Sequence, residues 1–250
     1  MKLTDKRVVV TGASSGIGFE LLPMLLDRGC TVVAAARGIE KLTLKHKNLY
    51  LKKCDISKKE EVDELFAHAV KVMGGIDIFI ANAGFAYYEK LENPDWEHMA
   101  GIYNTNAVSF FYSVVKMKQI SGAKPFNFVC TASSMGLLSL PGYALYGSTK
   151  AAIHSFSEAF RFELPKNQVL QVVYPIATKT NFFHNAGDSP VPWPTQSAAH
   201  VAKCIVRGIE HDTKRIFPSK IFLLTKMLFP FTFRFYQQWE AVKFRRFSNK

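Results

Sequence analysis

The sequence predicts an α/β fold, a single doubly wound domain with a mostly parallel sheet of about seven strands and helices on both faces. Three observations carry this expectation. Short apolar runs alternate with longer helical stretches as far as about residue 210, the pattern of βαβ units. The runs are apolar without alternation, as in Val8-Val9-Val10, which suits strands covered on both faces. The first run ends in a glycine-rich turn that leads into a helix, the strand–turn–helix join of such sheets.

Taken in order, a strand over 8–10 leads through the glycine turn to a helix over about 16–28. Strands follow over 31–36 and 49–51. Ser57, with Glu60 three residues on, reads as a capping box for a helix reaching about residue 73. A strand over 76–81 precedes a long helix that begins after Pro94. A strand over 126–131, a long helix carrying Tyr146 and a strand over 169–174 complete the pattern. No internal repeat or low-complexity linker interrupts it. Residues 1–213 read as one domain, and residues 214–250 as an appendage.

Bulk properties narrow the class. With 250 residues and 48% hydrophobic content, the chain can bury a sizeable core. Cys30, Cys54, Cys130 and Cys204 are widely separated and show no metal-ligand spacing; buried, reduced thiols are expected, and no metal. No apolar segment of signal-peptide length precedes the first strand, so a cytoplasmic protein is expected. Of the net charge of +12, most sits at the end of the chain: residues 214–250 hold nine basic residues and one acid, Glu240. Such asymmetry points to an anionic partner, a membrane surface or a solvated tail.

Four motifs follow one another: Thr11-Gly12-Ala13-Ser14-Ser15-Gly16-Ile17-Gly18, Asn82-Ala83-Gly84, Ser133-Ser134 and Tyr146-Gly147-Ser148-Thr149-Lys150. A pyrophosphate needs backbone N–H groups close by at a helix N-terminus. Gly12 permits the tight turn, Gly16 the close approach, and Gly18 the packing of helix on strand. Tyr146 and Lys150, four residues apart, share one helix face. A phenol is a weak acid at its free pKa of about 10, and a neighbouring lysine cation brings it toward operating pH. Tyr143 has Gly147 rather than a lysine four residues later, which assigns it to a substrate wall.

In order and spacing these motifs resemble the short-chain dehydrogenase/reductase family over roughly residues 5–210. The resemblance implies a Rossmann-type oxidoreductase that uses a nicotinamide cofactor to interconvert a carbonyl compound and an alcohol, and it implies a homo-oligomer. It gives Tyr146 the role of general acid/base and Lys150 the tuning of that tyrosine and a hold on the ribose. Asn106 supports a proton relay from within a bent helix. The catalytic serine is the second of the pair in most relatives, about thirteen residues before the tyrosine. Ser133 lies 13 residues before Tyr146 and Ser134 12; alignment on the pair, with one deletion near Met135-Gly136, selects Ser134. Cofactor contacts are implied for Gly12, Ser14, Ser15, Gly16, Ile17, Gly18, Asp55, Ile56, Asn82, Ala83, Gly84, Tyr146, Lys150, Pro175 and Thr180. Where relatives have Pro-Gly, this chain has Pro175-Ile176.

The residue after the second strand bears on the choice of nicotinamide. An acid there receives the ribose 2′-hydroxyl of NAD. Here the end reads Ala35-Ala36-Arg37-Gly38, and Arg37 suits a 2′-phosphate, so NADP(H) is expected. The basic residue that some NADP-preferring relatives carry at Ser14 or Ser15 is missing. Residues 177–195 read as a lid. With Tyr143, Leu137, Phe182 and Phe183, they suggest an apolar pocket for a lipid- or steroid-like carbonyl or alcohol. A nucleotide-binding sensor or scaffold without turnover is the alternative, and the intact motif set argues against it. The tail is too interrupted by Lys226 and Pro230 to span a bilayer. An interfacial helix on an anionic membrane, or packing on the domain or another subunit, are both open. No nucleic-acid motif accompanies its charge.

Overall fold

The computed structural model describes every residue except 181, 188, 227, 228, 249 and 250. Two lid positions and part of the tail therefore lie outside the described residues. The chain runs β1 (Arg7–Thr11), α1 (Gly16–Leu26), β2 (Thr31–Ala36), β3 (Leu49–Lys53), α2 (Lys59–Met73), β4 (Ile78–Ala81), α3 (Trp96–Tyr103), α4 (Ser109–Ser121), β5 (Phe126–Thr131), α5 (Ala144–Phe160) and β6 (Gln168–Val173). It continues through β7 (Ala177–Lys179), α6 (Phe182–Asn185), β8 (Thr195–Ser197), α7 (Ala198–Glu210), β9 (Arg215–Ile216), α8 (Lys220–Lys226) and α9 (Phe229–Ser248).

Seven strands make one sheet in the order β3-β2-β1-β4-β5-β6-β9, and every pairing in it is parallel. The seventh strand lies at 215–216, in the stretch that the sequence assigned to the appendage, and pairs with Val172 and Val173. Parallel strands need crossovers, and the helices of those crossovers bury both faces. On one face Leu21, Leu25, Val201 and Ile205 cover Val8, Val10, Val32 and Ile80. On the other, Phe66 stacks on Phe79, and Phe79 on Phe128, each at 5.0 Å between centroids. Strand order reverses between β1 and β4. The carboxyl ends of those two strands open the crevice where sheets of this type hold ligands.

One local expectation is corrected. The capping box of Ser57 and Glu60 does not form, because Asp55 takes the serine: its Oδ1 accepts from Ser57 N–H at 3.0 Å and from the Ser57 hydroxyl at 2.8 Å. Helix α2 starts later, at Lys59, and it is Glu61 that reaches back, to the Asp55 N–H at 2.7 Å. The long helix after Pro94 is capped by Asp95, whose carboxylate accepts from His98 N–H at 3.0 Å. A π turn at Asn104–Val108 divides it into α3 and α4; such turns cluster at functional sites.

Candidate active site

The end of β1 and the end of β4 are laced together. The Thr11 hydroxyl accepts from the Asn82 and Ala83 N–H groups at 3.1 and 3.2 Å. The Asn82 amide donates to the Thr11 carbonyl at 3.3 Å and accepts from the Thr131 hydroxyl at 3.2 Å. Asn82 thus joins β1, β4 and β5 at the mouth of the crevice. Backbone room there is tight. Gly12 has φ +66°, and a Cβ on it would lie 2.8 Å from Ala83 Cα. A Cβ on Gly18 would lie 2.2 Å from the Gly12 carbonyl oxygen, so only glycine lets α1 sit this close to the loop.

The crevice has a volume of about 830 Å³. Its lining includes Gly12, Ser14, Ser15, Gly16, Ile17, Arg37, Asp55, Ile56, Asn82, Ala83, Gly84, Ser133, Ser134, Tyr146, Lys150, Pro175 and Thr180, with Phe182 and Phe183 at one end. The glycine-rich loop at the start of α1 and the volume fit a dinucleotide, with its phosphates on the helix N-terminus. Arg37 is exposed at the rim. Burial draws the Asp55 carboxyl upward, but the Ser57 donors and the charge of Arg37 outweigh it and leave it below its ordinary range. Lys41, four residues after Arg37, joins the lining. The sequence reading passed over it; a second cation one turn beyond Arg37 was the available signal.

Tyr146 and Lys150 lie on α5, both buried. The ammonium sits 5.6 Å from the centroid of the Tyr146 ring and donates to the Thr131 carbonyl at 2.9 Å. Burial dominates both groups. It pushes the Tyr146 phenol up to about 12, against a hydrogen bond from Ser133 that favours ionisation. It pushes Lys150 down to about 8. The expected lowering of the phenol by Lys150 is therefore not the leading effect in the protein alone.

Ser133 and Ser134 both line the crevice with Tyr146. Ser133, two residues past β5, has an extended backbone and caps the 3₁₀ turn, its Oγ accepting from Met135 N–H at 3.1 Å; it stands close enough to Tyr146 to favour ionisation of the phenol. Ser134 has already entered the following 3₁₀ turn, and its N–H donates to the Pro175 carbonyl at 2.8 Å.

Asn106 falls inside the π turn and is buried. Its Oδ1 accepts from Phe85 N–H at 3.0 Å, and its Nδ2 donates to the Phe85 carbonyl at 2.8 Å and the Thr149 hydroxyl at 3.2 Å. A Cβ on Gly84 would come within 3.1 Å of Asn106 Oδ1 and 3.4 Å of Lys150 Nζ. Gly84 is thus where the loop after β4, the π turn and the lysine meet.

Above Tyr146 lies a third apolar cluster, with Tyr88, Met135, Leu140, Tyr143 and Phe183. The Phe182 ring meets the Tyr146 ring edge-on at 5.4 Å. Tyr143 is buried, its hydroxyl 3.0 Å from that of Ser189. Leu137 belongs elsewhere. Coming out of the 3₁₀ turn, it packs with the Phe79 and Phe128 cluster, and Leu138 and Leu140 join the upper cluster instead. The lid region is anchored by a two-stranded parallel sheet, β7 with β8. Ile176, in place of a glycine, offers its carbonyl to the Thr178 hydroxyl at 2.9 Å.

Residues 6–190 match the short chain dehydrogenase family, and the chain belongs to it. It is an NAD(P)-dependent oxidoreductase of that family, as the similarity to oxidoreductases also supports. An uncharacterized oxidoreductase of Staphylococcus saprophyticus is 35% identical over 170 residues, 64% of this chain and 67% of that one. An uncharacterized oxidoreductase of Listeria innocua is 30% identical over 201 residues, 75% of this chain and 80% of that one. Among solved structures, a short chain dehydrogenase/reductase from Burkholderia phymatum in complex with NAD shares the fold at a TM-score of 0.82 and 20% identity, covering 95% of this chain and 97% of that one. A short chain dehydrogenase from Burkholderia cenocepacia in complex with NADP does so at 0.80 and 22% identity, covering 94% and 96%.

Proposed function

We propose that the protein is an NADP(H)-dependent reductase/dehydrogenase that interconverts a ketone or aldehyde and an alcohol on a hydrophobic, lipid- or steroid-like compound. What supports this most is the position of Tyr146. Its phenol lies beside Ser133, which favours its ionisation, and one turn from Lys150, where the nucleotide crevice meets an aromatic cluster. A bound reduced nicotinamide supplies the hydride for the carbonyl carbon. Tyr146 gives its proton to the carbonyl oxygen as general acid. Burial keeps that proton in place through neutral pH. Ser133 takes the role of orienting the carbonyl oxygen, and the Lys150 cation stabilises the phenolate as it forms. Asn106 acts as a positioning residue, holding Phe85 and the helix that carries Lys150. Phe182, edge-on to Tyr146 at 5.4 Å, stands where a lid residue would meet the substrate. Oxidation of NADPH, followed at steady state with a panel of hydrophobic ketones and small polar carbonyl compounds, tests the reading. No turnover with any of them, despite NADPH binding, would leave a nucleotide-binding protein without catalysis.

The serine assignment has its own test. Ser133→Ala is expected to lower kcat/KM about tenfold, the value of roughly one hydrogen bond. Ser134→Ala keeps the backbone contact to Pro175 and should stay within about twofold of the parent. The reverse order would return the role to Ser134.

The lysine sets the pH dependence. Its pKa in the folded protein is lowered to about 8, so the ammonium is present below that value and lost as pH rises through it. Reduction should therefore be level at about pH 6–7 and decline above about 8, approaching tenfold per unit. A rate that stays flat to pH 10 would remove Lys150 from the proton-transfer step.

A further inference from the structure

Helix α9 has two apolar faces, and the domain uses one of them. Phe233, Tyr236, Glu240, Phe244 and Phe247 recur every three or four residues, which puts them on one face. The four aromatic residues among them pack on the cluster above Tyr146. The Phe247 and Phe244 rings lie 4.8 and 5.6 Å from that of Tyr88. Gly142, at φ +82°, admits this contact, since a Cβ there would lie 2.3 Å from Tyr88 and 2.9 Å from Phe244. The Tyr236 hydroxyl donates to the Trp193 carbonyl at 3.0 Å, and the Gln237 amide to the Ser139 carbonyl at 2.8 Å. The inner face closes the active-site cluster and fixes the helix on the domain.

The outer face is open. Phe235, Trp239 and Val242 are 74%, 49% and 45% exposed. Spaced by four and three residues, they form one strip, which Arg246 continues a turn further on. Arg234, Arg245 and Arg246 are exposed, and the Lys243 ammonium lies 3.4 Å from the centroid of the Trp239 ring. Glu240, the acid of this segment, is buried on the inner face and paired with Lys243 at 2.8 Å. The exposed charge of α9 is thus wholly positive among the described residues. Helix α8 repeats the composition, with Ile221 and Leu224 exposed beside Lys220.

Singly exposed apolar residues are ordinary, but a contiguous aromatic strip marks a contact surface. No helix among the described residues is long and apolar enough to cross a membrane. Aromatic and aliphatic side chains flanked by arginine and lysine, on a helix already held by its opposite face, match the chemistry of the headgroup boundary. The positive exposed charge matches an anionic leaflet. We infer that the outer face of α9 docks the protein on an anionic lipid bilayer, with Phe235, Trp239 and Val242 entering the headgroup boundary and Arg234 and Arg246 meeting lipid phosphates.

The full chain is incubated with phosphatidylcholine vesicles, with and without phosphatidylglycerol, and sedimented. Partition onto the anionic vesicles is expected to exceed that onto neutral ones by at least about tenfold at low salt, and to fall as salt is added. The F235S/W239S/V242S variant should lower it at least about tenfold while leaving NADPH binding unchanged, because none of these residues lines the crevice. The charge reversal R234E/R246E keeps the apolar strip and should abolish the preference for anionic lipid. Equal partition onto neutral and anionic vesicles, none onto either, or binding by both variants that matches the parent overturns the inference. So does a dimer in solution that the serine variant converts to monomer without any vesicle binding by the parent: the strip would then belong to a second copy of the chain.

Discussion

Tyr146→Phe should lower turnover by at least about 10²-fold, the range that a positioned general acid supplies, while NADPH binds nearly as before. The substitution removes one oxygen and leaves the ring that packs against Phe182 and Tyr143. The fold should be unaffected, since the phenol's partner is Ser133, whose Oγ also accepts from Met135 N–H. What goes is the proton. No other side chain within this cluster is arranged to replace it. Tyr143 is a neighbouring phenol, but its hydroxyl is engaged with Ser189, and burial raises its pKa as well. Tyr143→Phe is the matching control, with a smaller effect on turnover. Stopped-flow reduction under single-turnover conditions, with NADPH affinity measured by fluorescence, separates chemistry from binding. Near-parental turnover in Tyr146→Phe would remove the proposed acid.

Much of this fold could be read from sequence because the signals were local and repeated. Wholly apolar runs such as Val8-Val9-Val10 can hardly be anything but strands covered on both faces, and the glycine loop between one of them and a helix fixed where the crevice would lie. The elements that were missed depended on long-range contacts. Strand β9 has two residues and exists because β6 offers it an edge at Val172 and Val173; nothing within Arg215-Ile216 announces it. The capping box failed because Asp55 competes for the Ser57 hydroxyl through the same kind of local hydrogen bond that makes a cap. Ser133 and Ser134 are adjacent and chemically identical, so only the backbone distinguishes them: one caps the 3₁₀ turn and the next begins it. Leu137 could not be separated from Leu138 for the same reason. In the tail, the sequence displayed the aromatic and basic residues but not their division into an inner and an outer face. That division needed Gly142, more than a hundred residues away in the chain, to admit Phe244.

Cofactor choice carries the other large effect. The fold itself does not choose between NAD and NADP, so the discrimination must come from the rim after β2. There Arg37 and Lys41 supply two cations, and no acid stands at the end of the strand to receive a ribose 2′-hydroxyl. A guanidinium presents a planar fork that matches a phosphate, and charge-assisted hydrogen bonds of this kind contribute about 1.5–3 kcal/mol. Arg37→Ala should therefore weaken NADPH binding by roughly ten- to 150-fold and leave NADH binding within about twofold, which erases most of the expected preference. Lys41→Ala should act in the same direction and more weakly, since a lysine meets the phosphate as a point charge. Both residues are exposed, so neither change should disturb folding, and added salt should reduce the NADPH advantage of the parent protein. Dissociation constants for NADPH and NADH, measured for the parent and the two variants at two salt concentrations, give the answer. If the parent binds NADH more tightly, or if Arg37→Ala weakens both cofactors alike, the rim does not read the 2′-phosphate.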